Sequence, residues 1–226
     1  IDMDFDGDID IMAACKGNNE NDYDGGLIFY ENDGNENFSE NIISETTSSL
    51  DVFAIDMDYD GDIDIISSQY NGIILHENTT STAFEPSFTE HTVNGDVSGV
   101  SSIHALDMNG NGKIDILSSA ANDSPDMIAL YTNDGSQIFT ENIISTQEEP
   151  TSLYGVDIDT DGDMDVLAAF DNGDIILLKN DGNENFTENV IFFQMDDLQE
   201  DVRETLDIYA TDLDGDGDMD VVSAFI

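Results

Sequence analysis

Asp2-Met-Asp-Phe-Asp-Gly-Asp-Ile-Asp10 and Asp56-Met-Asp-Tyr-Asp-Gly-Asp-Ile-Asp64 are two copies of one nine-residue pattern. Three more follow: Asp107-Met-Asn-Gly-Asn-Gly-Lys-Ile-Asp115, Asp157-Ile-Asp-Thr-Asp-Gly-Asp-Met-Asp165 and Asp212-Leu-Asp-Gly-Asp-Gly-Asp-Met-Asp220. Oxygen-bearing side chains stand at positions 1, 3, 5 and 9. These are Asp2, Asp4, Asp6 and Asp10; Asp56, Asp58, Asp60 and Asp64; Asp107, Asn109, Asn111 and Asp115; Asp157, Asp159, Asp161 and Asp165; and Asp212, Asp214, Asp216 and Asp220. Position 6 is always Gly, which turns the chain sharply because it lacks a Cβ. Alternating oxygens on a tight turn make a cage for a hard cation of Ca²⁺ size. The loops recur every 50 to 55 residues, which is the mark of a repeat architecture.

Around each loop lie four short apolar runs. One enters the loop (Leu50–Ile55, Val100–Leu106, Leu153–Val156, Leu206–Ala210) and one leaves it (Ile9–Ala14, Ile63–Ser68, Ile114–Ser119, Met164–Ala169, Met219–Ala224). A third (Leu27–Tyr30, Ile73–His76, Met127–Tyr131, Ile175–Leu178) leads to a fourth that opens on Phe38, Phe88, Phe139 or Phe186. Short β-branched runs bounded by Gly, Asn and Asp read as strands. The third and fourth join through Asn32-Asp-Gly34, Asn133-Asp-Gly135 and Asn180-Asp-Gly182, where Asp-Gly suits the positive φ of a hairpin turn. The second repeat replaces this signal with Asn78-Thr-Thr and an insert containing Pro86; Met195–Thr205 reads as an acidic connection with one helical turn. Four antiparallel strands at this period predict an all-β fold, a β-propeller of four-stranded blades. The repeats are 1–48 (partial), 49–99, 100–150, 151–204 and 205–226 (partial). A linear β-solenoid is the competing architecture.

Acidic residues number 52 against four Lys plus Arg, a formal charge of -48. Five lie in each loop except the third, which has two, so the loops hold 22 of them. Five Ca²⁺ would leave about -38. The remainder reads as a solvated acidic surface, or as a face for a basic partner. Nucleic acid and anionic membrane find no basic patch, and no apolar run is long enough to span a bilayer. One Cys in 226 residues excludes an intramolecular disulfide framework; Cys15 reads as a small buried residue.

An EF-hand shares the first six positions, but it needs a Glu at position 12 and flanking helices. Position 12 is Ala13, Ser67, Ser118, Ala168 or Ser223, and the flanks are β-branched. Asp-x-Asp-x-Asp-Gly-Asp-x-Asp, followed by Tyr-x-Asn-Asp-Gly and Phe-Thr-Glu, resembles the FG-GAP/VCBS repeats of integrin α-subunit propellers and of secreted bacterial proteins. The resemblance spans essentially the whole chain. It implies a propeller of seven or so blades with up to five Ca²⁺, one in each loop between the first two strands of a blade. It also implies a backbone-carbonyl ligand at position 7: Asp8, Asp62, Lys113, Asp163 and Asp218. With Asn109, Asn111 and Lys113, the third loop should bind more weakly, since ligand charge tunes affinity.

No catalytic grouping stands out. His76 reads as a rim or packing residue, His91 as exposed, and His104 as near a central channel. Zinc spacing, phosphate loops and a nucleophile elbow are all missing. The resulting expectation is a non-catalytic, calcium-binding module of a secreted or cell-surface protein, mediating adhesion to protein or glycan. The alternative is a scaffold or accessory domain of a polysaccharide-active lyase or hydrolase; a structural spacer or filament subunit is a third reading. Because the pattern opens inside a loop and stops after a second strand, the sequence leads one to expect further blades beyond Ile1 and Ile226.

Overall fold

The computed structural model describes residues 1–15, 25–45, 49–69, 72–79, 86–121, 126–192 and 205–226. Residues 80–85 of the second repeat's insert and 195–204 of the Met195–Thr205 connection lie outside these residues. The chain divides into two compact units, Ile1–Val100 and Ser101–Ile226.

In the first unit, β1 (Ile11–Cys15), β2 (Gly26–Asn32) and β3 (Phe38–Ser44) form one antiparallel sheet, and β4 (Ser49–Ile55), β5 (Asp64–Gln69), β6 (Gly72–Asn78) and β7 (Phe88–Asn94) form a second. The second unit opens within β8 (Val100–Leu106) and holds β9 (Asp115–Ala120), β10 (Met127–Asn133) and β11 (Phe139–Ser145). It continues with β12 (Pro150–Val156), β13 (Asp165–Phe170), β14 (Ile175–Asn180) and β15 (Phe186–Phe192), and then with β16 (Thr205–Thr211) paired to β17 (Asp220–Phe225). Each sheet is a meander in chain order. Among the described residues no helix is long and apolar enough to cross a membrane.

The four strands of a sheet differ in burial for a reason written in their side chains. β9 and β13 are buried along their whole length and β5 nearly so. Between the Asp that opens each strand and its last residue they carry only Ile, Leu, Val, Ser and Ala, small enough to be covered on both faces. The fourth strands carry Ser/Thr-Glu after their Phe and stand largely exposed, and charge there protects a sheet edge from pairing with another chain. Between third and fourth strands the register slips at one recurring place: after Leu27, Ile73, Ile128 and Ile175. Such a bulge, repeated in four sheets, adds the same local twist to each.

Sheets pack on one another within each unit. In the first, Met3, Leu27, Phe29 and Ile65 make the core. In the second, Met108, Leu117, Leu130, Val166 and Phe170 fill one interface, and Val156, Leu167, Ile208 and Ala210 fill the next. Burying each of the Val, Leu, Ile, Met and Phe side chains among them stabilises by about 1.5–3 kcal/mol. Polar rungs join successive first strands: Ser101 Oγ donates to the Pro150 carbonyl (2.9 Å), and Ser152 Oγ to Asp207 Oδ1 (3.1 Å).

Two local details differ from the sequence reading. The strands leaving the loops begin later than expected, at Ile11, Asp64, Asp115, Asp165 and Asp220. In the complete sheets the residue before each still belongs to the loop, because a side-chain amide takes its carbonyl. The hairpins are five-residue loops, closed by Asp33 N to Asn37 O, Asp134 N to Ile138 O and Asp181 N to Asn185 O, each 3.1 Å. They need a second positive φ, at Glu36, Gln137 and Glu184.

Candidate metal centres

Each acidic loop is folded by its own carboxylates. In the first, Gly7 N donates to Asp2 Oδ2 (3.2 Å), Asp6 N to Asp4 Oδ1 (3.2 Å) and Asp8 N to Asp6 Oδ1 (2.9 Å). The second repeats the scheme with Gly61, Asp60 and Asp62 on Asp56, Asp58 and Asp60. The fifth repeats it with Gly217, Asp216 and Asp218 on Asp212, Asp214 and Asp216. In the third, Gly112 N reaches Asp107 and Asn111 N reaches Asn109, so Asn serves as an acceptor where Asp does elsewhere. The fourth has Gly162 on Asp157 and Asp163 on Asp161. Asp107, Asp157 and Asp212 thereby have both oxygens bonded to amides, whereas Asp2 and Asp56 have one.

Position 9 plays a different part. Asp10 Oδ2 accepts from Met3 N (2.8 Å) and its Oδ1 from Asn32 N (2.9 Å), so one carboxylate ties the loop to the end of β2. Asp64 does the same for Met57 and Asn78, and Asp115 for Met108 and Asn133. Asp165 receives Asn180 N, and Asp220 receives Leu213 N. Asp64 is 1% and Asp115 0% exposed. Burial pushes each up to about 6, against the amide hydrogen bonds that favour the charge. Burial likewise raises Asp4, Asp58 and Asp165, and raises Asp62 to about 7 with help from Asp60.

Carboxylate oxygens converge within 4.8 Å in four loops: Asp2, Asp4 and Asp6; Asp56, Asp58 and Asp64; Asp157, Asp159 and Asp165; Asp212, Asp214 and Asp220. Positions 1 and 3 thus meet in each, joined by position 5 in the first loop and position 9 in the others. The third loop offers only Asp107 and Asp115 as carboxylates. In three loops position 7 sends its side chain to the hairpin: Asp8 lies against Gly34, Asp163 against Gly182, and Lys113 against Gly135 with its Nζ donating to the Asp134 carbonyl. A Cβ on Gly182 would lie 2.6 Å from Asp163 Oδ2. Hairpin Gly therefore provides room as well as its positive φ.

Three contributors to the site carry no legible signal in the sequence. The first is the Asn ending each third strand. Asn180 Nδ2 donates to the Met164 carbonyl (3.1 Å), while its Oδ1 accepts from Gly182 N (3.2 Å) and Glu184 N (3.1 Å). Asn32, Asn78 and Asn133 clasp Ile9, Ile63 and Ile114 in the same way. The second is Glu184, whose Oε1 accepts from Asn109 Nδ2 (2.9 Å), bringing a carboxylate from the next sheet to the third loop. The third is Lys179, whose Nζ donates to Asp159 Oδ2.

Whether these cages suit a divalent ion is tested by their unused oxygens. Asp2 Oδ1 and Asp56 Oδ1 are buried with no hydrogen-bond partner among the described residues, although each residue's other oxygen is bonded to a Gly amide. A buried carboxylate oxygen without a donor is costly, and a cation supplies what it lacks. An all-oxygen donor set fits a hard ion such as Ca²⁺.

The histidines stand elsewhere. His76 is 0% exposed, with Nε2 2.9 Å from Ser67 Oγ and Nδ1 3.7 Å from Glu90. Ser67 is also fully buried, so this Ser–His–Glu array cannot meet a substrate. Tyr131 and Glu141 fill the same strand positions with a 3.0 Å hydrogen bond. His91, expected to be exposed, is half-buried and paired to Glu77 at 2.6 Å, because it stands opposite Leu75 and so reaches Glu77 diagonally across β6 and β7. His104 stacks edge-on against Tyr154 at 4.7 Å, which in turn contacts Tyr209 at 4.8 Å, and burial lowers His104 to about 4. Cys15, at the end of β1, is half-buried rather than buried.

The meandering four-stranded sheets, each introduced by an oxygen-lined loop, define an all-β repeat protein. The model of the FG-GAP-like repeat matches residues 2–67, 56–118, 107–168 and 157–223, and the chain belongs to that family. No curated protein matches the chain. Among solved structures, it is similar to a lectin of Agrocybe aegerita described as specifically recognising non-reducing terminal N-acetylglucosamine, with a TM-score of 0.60 and 16% identity. The likeness covers 95% of this chain and 60% of the lectin, so the chain corresponds to part of that protein's length. At this identity what is shared is the fold, which is propeller-like.

Proposed function

We propose that the chain is a calcium-binding β-propeller module of a secreted or cell-surface protein, non-catalytic, which engages glycan or protein. The carrying observation is the recurrence of one cage, built by one hydrogen-bond scheme, with partnerless buried oxygens on Asp2 and Asp56. Ca²⁺ would be held by the side chains at positions 1, 3, 5 and 9 of up to five loops, with Asn109 and Asn111 serving in the third. When bound, the ion supplies positive charge that offsets the repulsion of the gathered carboxylates. The chain's own work is orientation: backbone amides fix the carboxylates of the turn, and position 9 locks the loop to its sheet. Such loops suit the high calcium outside cells.

The glycan arm draws support from the fold shared with an N-acetylglucosamine-recognising lectin, although one fold hosts many functions. The repeats 1–48, 49–99, 100–150, 151–204 and 205–226 would be blades, the first and last partial, in a ring of seven or so completed by the rest of the same protein. Calorimetric titration tests the metal: up to five Ca²⁺ should bind, and two or fewer at millimolar calcium would sink the reading. EDTA should lower the melting temperature sharply, with Mg²⁺ rescuing poorly because it disfavours large flexible cages. A glycan array, run in calcium and in EDTA, tests the partner. An array silent in calcium despite calcium-dependent melting would remove the glycan arm alone.

A further inference from the structure

One strand position beside the loops differs from sheet to sheet. The residue before the clasping Asn is Glu31, Glu77, Thr132 or Lys179. In the fourth sheet Lys179 Nζ donates to Asp159 Oδ2 and lies 3.5 Å from Asp161 Oδ2, the carboxylates at positions 3 and 5 of the loop. In the first two sheets a carboxylate stands there instead: Glu31, which accepts from Asn41 Nδ2 (3.4 Å), and Glu77, paired to His91 (2.6 Å). Thr132 turns its hydroxyl to the Thr140 carbonyl (3.4 Å). Lys113, the cation within a loop, donates to a hairpin carbonyl.

We propose that this strand position sets the calcium affinity of each loop, and that Lys179 is a built-in counter-ion of the fourth loop, competing with the divalent ion for Asp159 and Asp161. The inference rests on the calcium reading above. Its physical basis is direct. An ammonium between two carboxylates relieves their repulsion when no metal is present, and a metal must displace it. A glutamate at the same place adds repulsion to the empty loop and attraction to the ion. The fourth loop should therefore stay ordered in chelator while binding calcium less tightly than its five Asp suggest. The loops beside Glu31 and Glu77 should do the reverse.

The test is calcium calorimetry on the full chain, with melting in EDTA, for Lys179→Met and Glu31→Lys. Lys179→Met keeps the aliphatic stem and removes the charge. It should tighten one site by about two- to tenfold, the competition expected from two exposed ion pairs, and should lower the melting temperature in EDTA. Glu31→Lys should loosen one site by a similar factor and raise the melting temperature in EDTA. If the unaltered chain binds calcium but Lys179→Met changes neither isotherm nor EDTA melting, Lys179 is a bystander and the proposal falls while the calcium reading stands. If the unaltered chain binds no calcium, both fall.

Discussion

Replacing Asn180 by Ala would probe the clasp between loop and hairpin. The side chain is 2% exposed. Its loss removes the bond to the Met164 carbonyl and strips the Gly182 and Glu184 amides of their acceptor. The backbone bond from Asn180 N to Asp165 Oδ1 (2.8 Å) remains. At about 1 kcal/mol net for each hydrogen bond, the three sum to about 3 kcal/mol. For a chain of this size that is a fall of about 6–12 °C in melting temperature. Thermal and urea unfolding followed by circular dichroism, in saturating calcium, would measure it. Asn183→Ala is the control. It removes only an exposed bond to the Asp181 carbonyl (3.2 Å), so it should cost under about 0.5 kcal/mol. Asn180→Asp separates the parts, since it keeps an acceptor for the two amides but sets a carboxylate against a carbonyl. If Asn180→Ala proved as mild as Asn183→Ala, the clasp would be decoration and the reasoning wrong.

Further outcomes follow from the same geometry. Because burial raises Asp64 and Asp115 from 3.8 to about 6 in the folded chain, their contribution in EDTA favours folding below pH about 4 and is lost as pH rises from about 4 to about 6; melts in EDTA at both ends of that window check it. Tyr59 holds φ 62 while 58% exposed, where Gly110 and Gly215 hold φ 69 and 79 in other loops. Tyr59→Gly should therefore gain about 0.5–1 kcal/mol in denaturant unfolding, and a loss would mean that its ring packs usefully. Gly182→Ala, at φ +77 and against Asp163, should cost about 1–2 kcal/mol by the same measurement. Asn109→Asp should tighten calcium at the third loop by adding ligand charge, less than a full carboxylate would elsewhere, because Glu184 already stands beside it; calorimetry decides.

What the chain discloses unaided is whatever recurs along it. Alternating Asp with Gly at a fixed place betrays the loop at each copy. β-branched runs at a steady period betray the strands, and Val100–Leu106 has the same bounds in sequence and structure. Contacts set by sheet register stay hidden. Asn133 looks like a turn former, yet its amide closes on Ile114, nineteen residues earlier. Glu184 looks like surface charge, yet it meets Asn109 across 75 residues. Nothing in the letters marks Lys179 as facing Asp159 rather than solvent, because an outward strand position tolerates any polar side chain. The second positive φ of each hairpin escapes notice too, since Glu and Gln carry no turn signature.

The contact between Glu184 and Asn109 makes neighbouring repeats answerable to one another. A loop whose surroundings are furnished by the following sheet feels the folding of that sheet, and the sheet feels the loop. Repeats coupled only to nearest neighbours behave as a one-dimensional chain of linked switches. Filling of the third loop should then steepen when β14 and β15 are well ordered. Its emptying should loosen the fourth sheet in turn, as one bead slackens the next on a string.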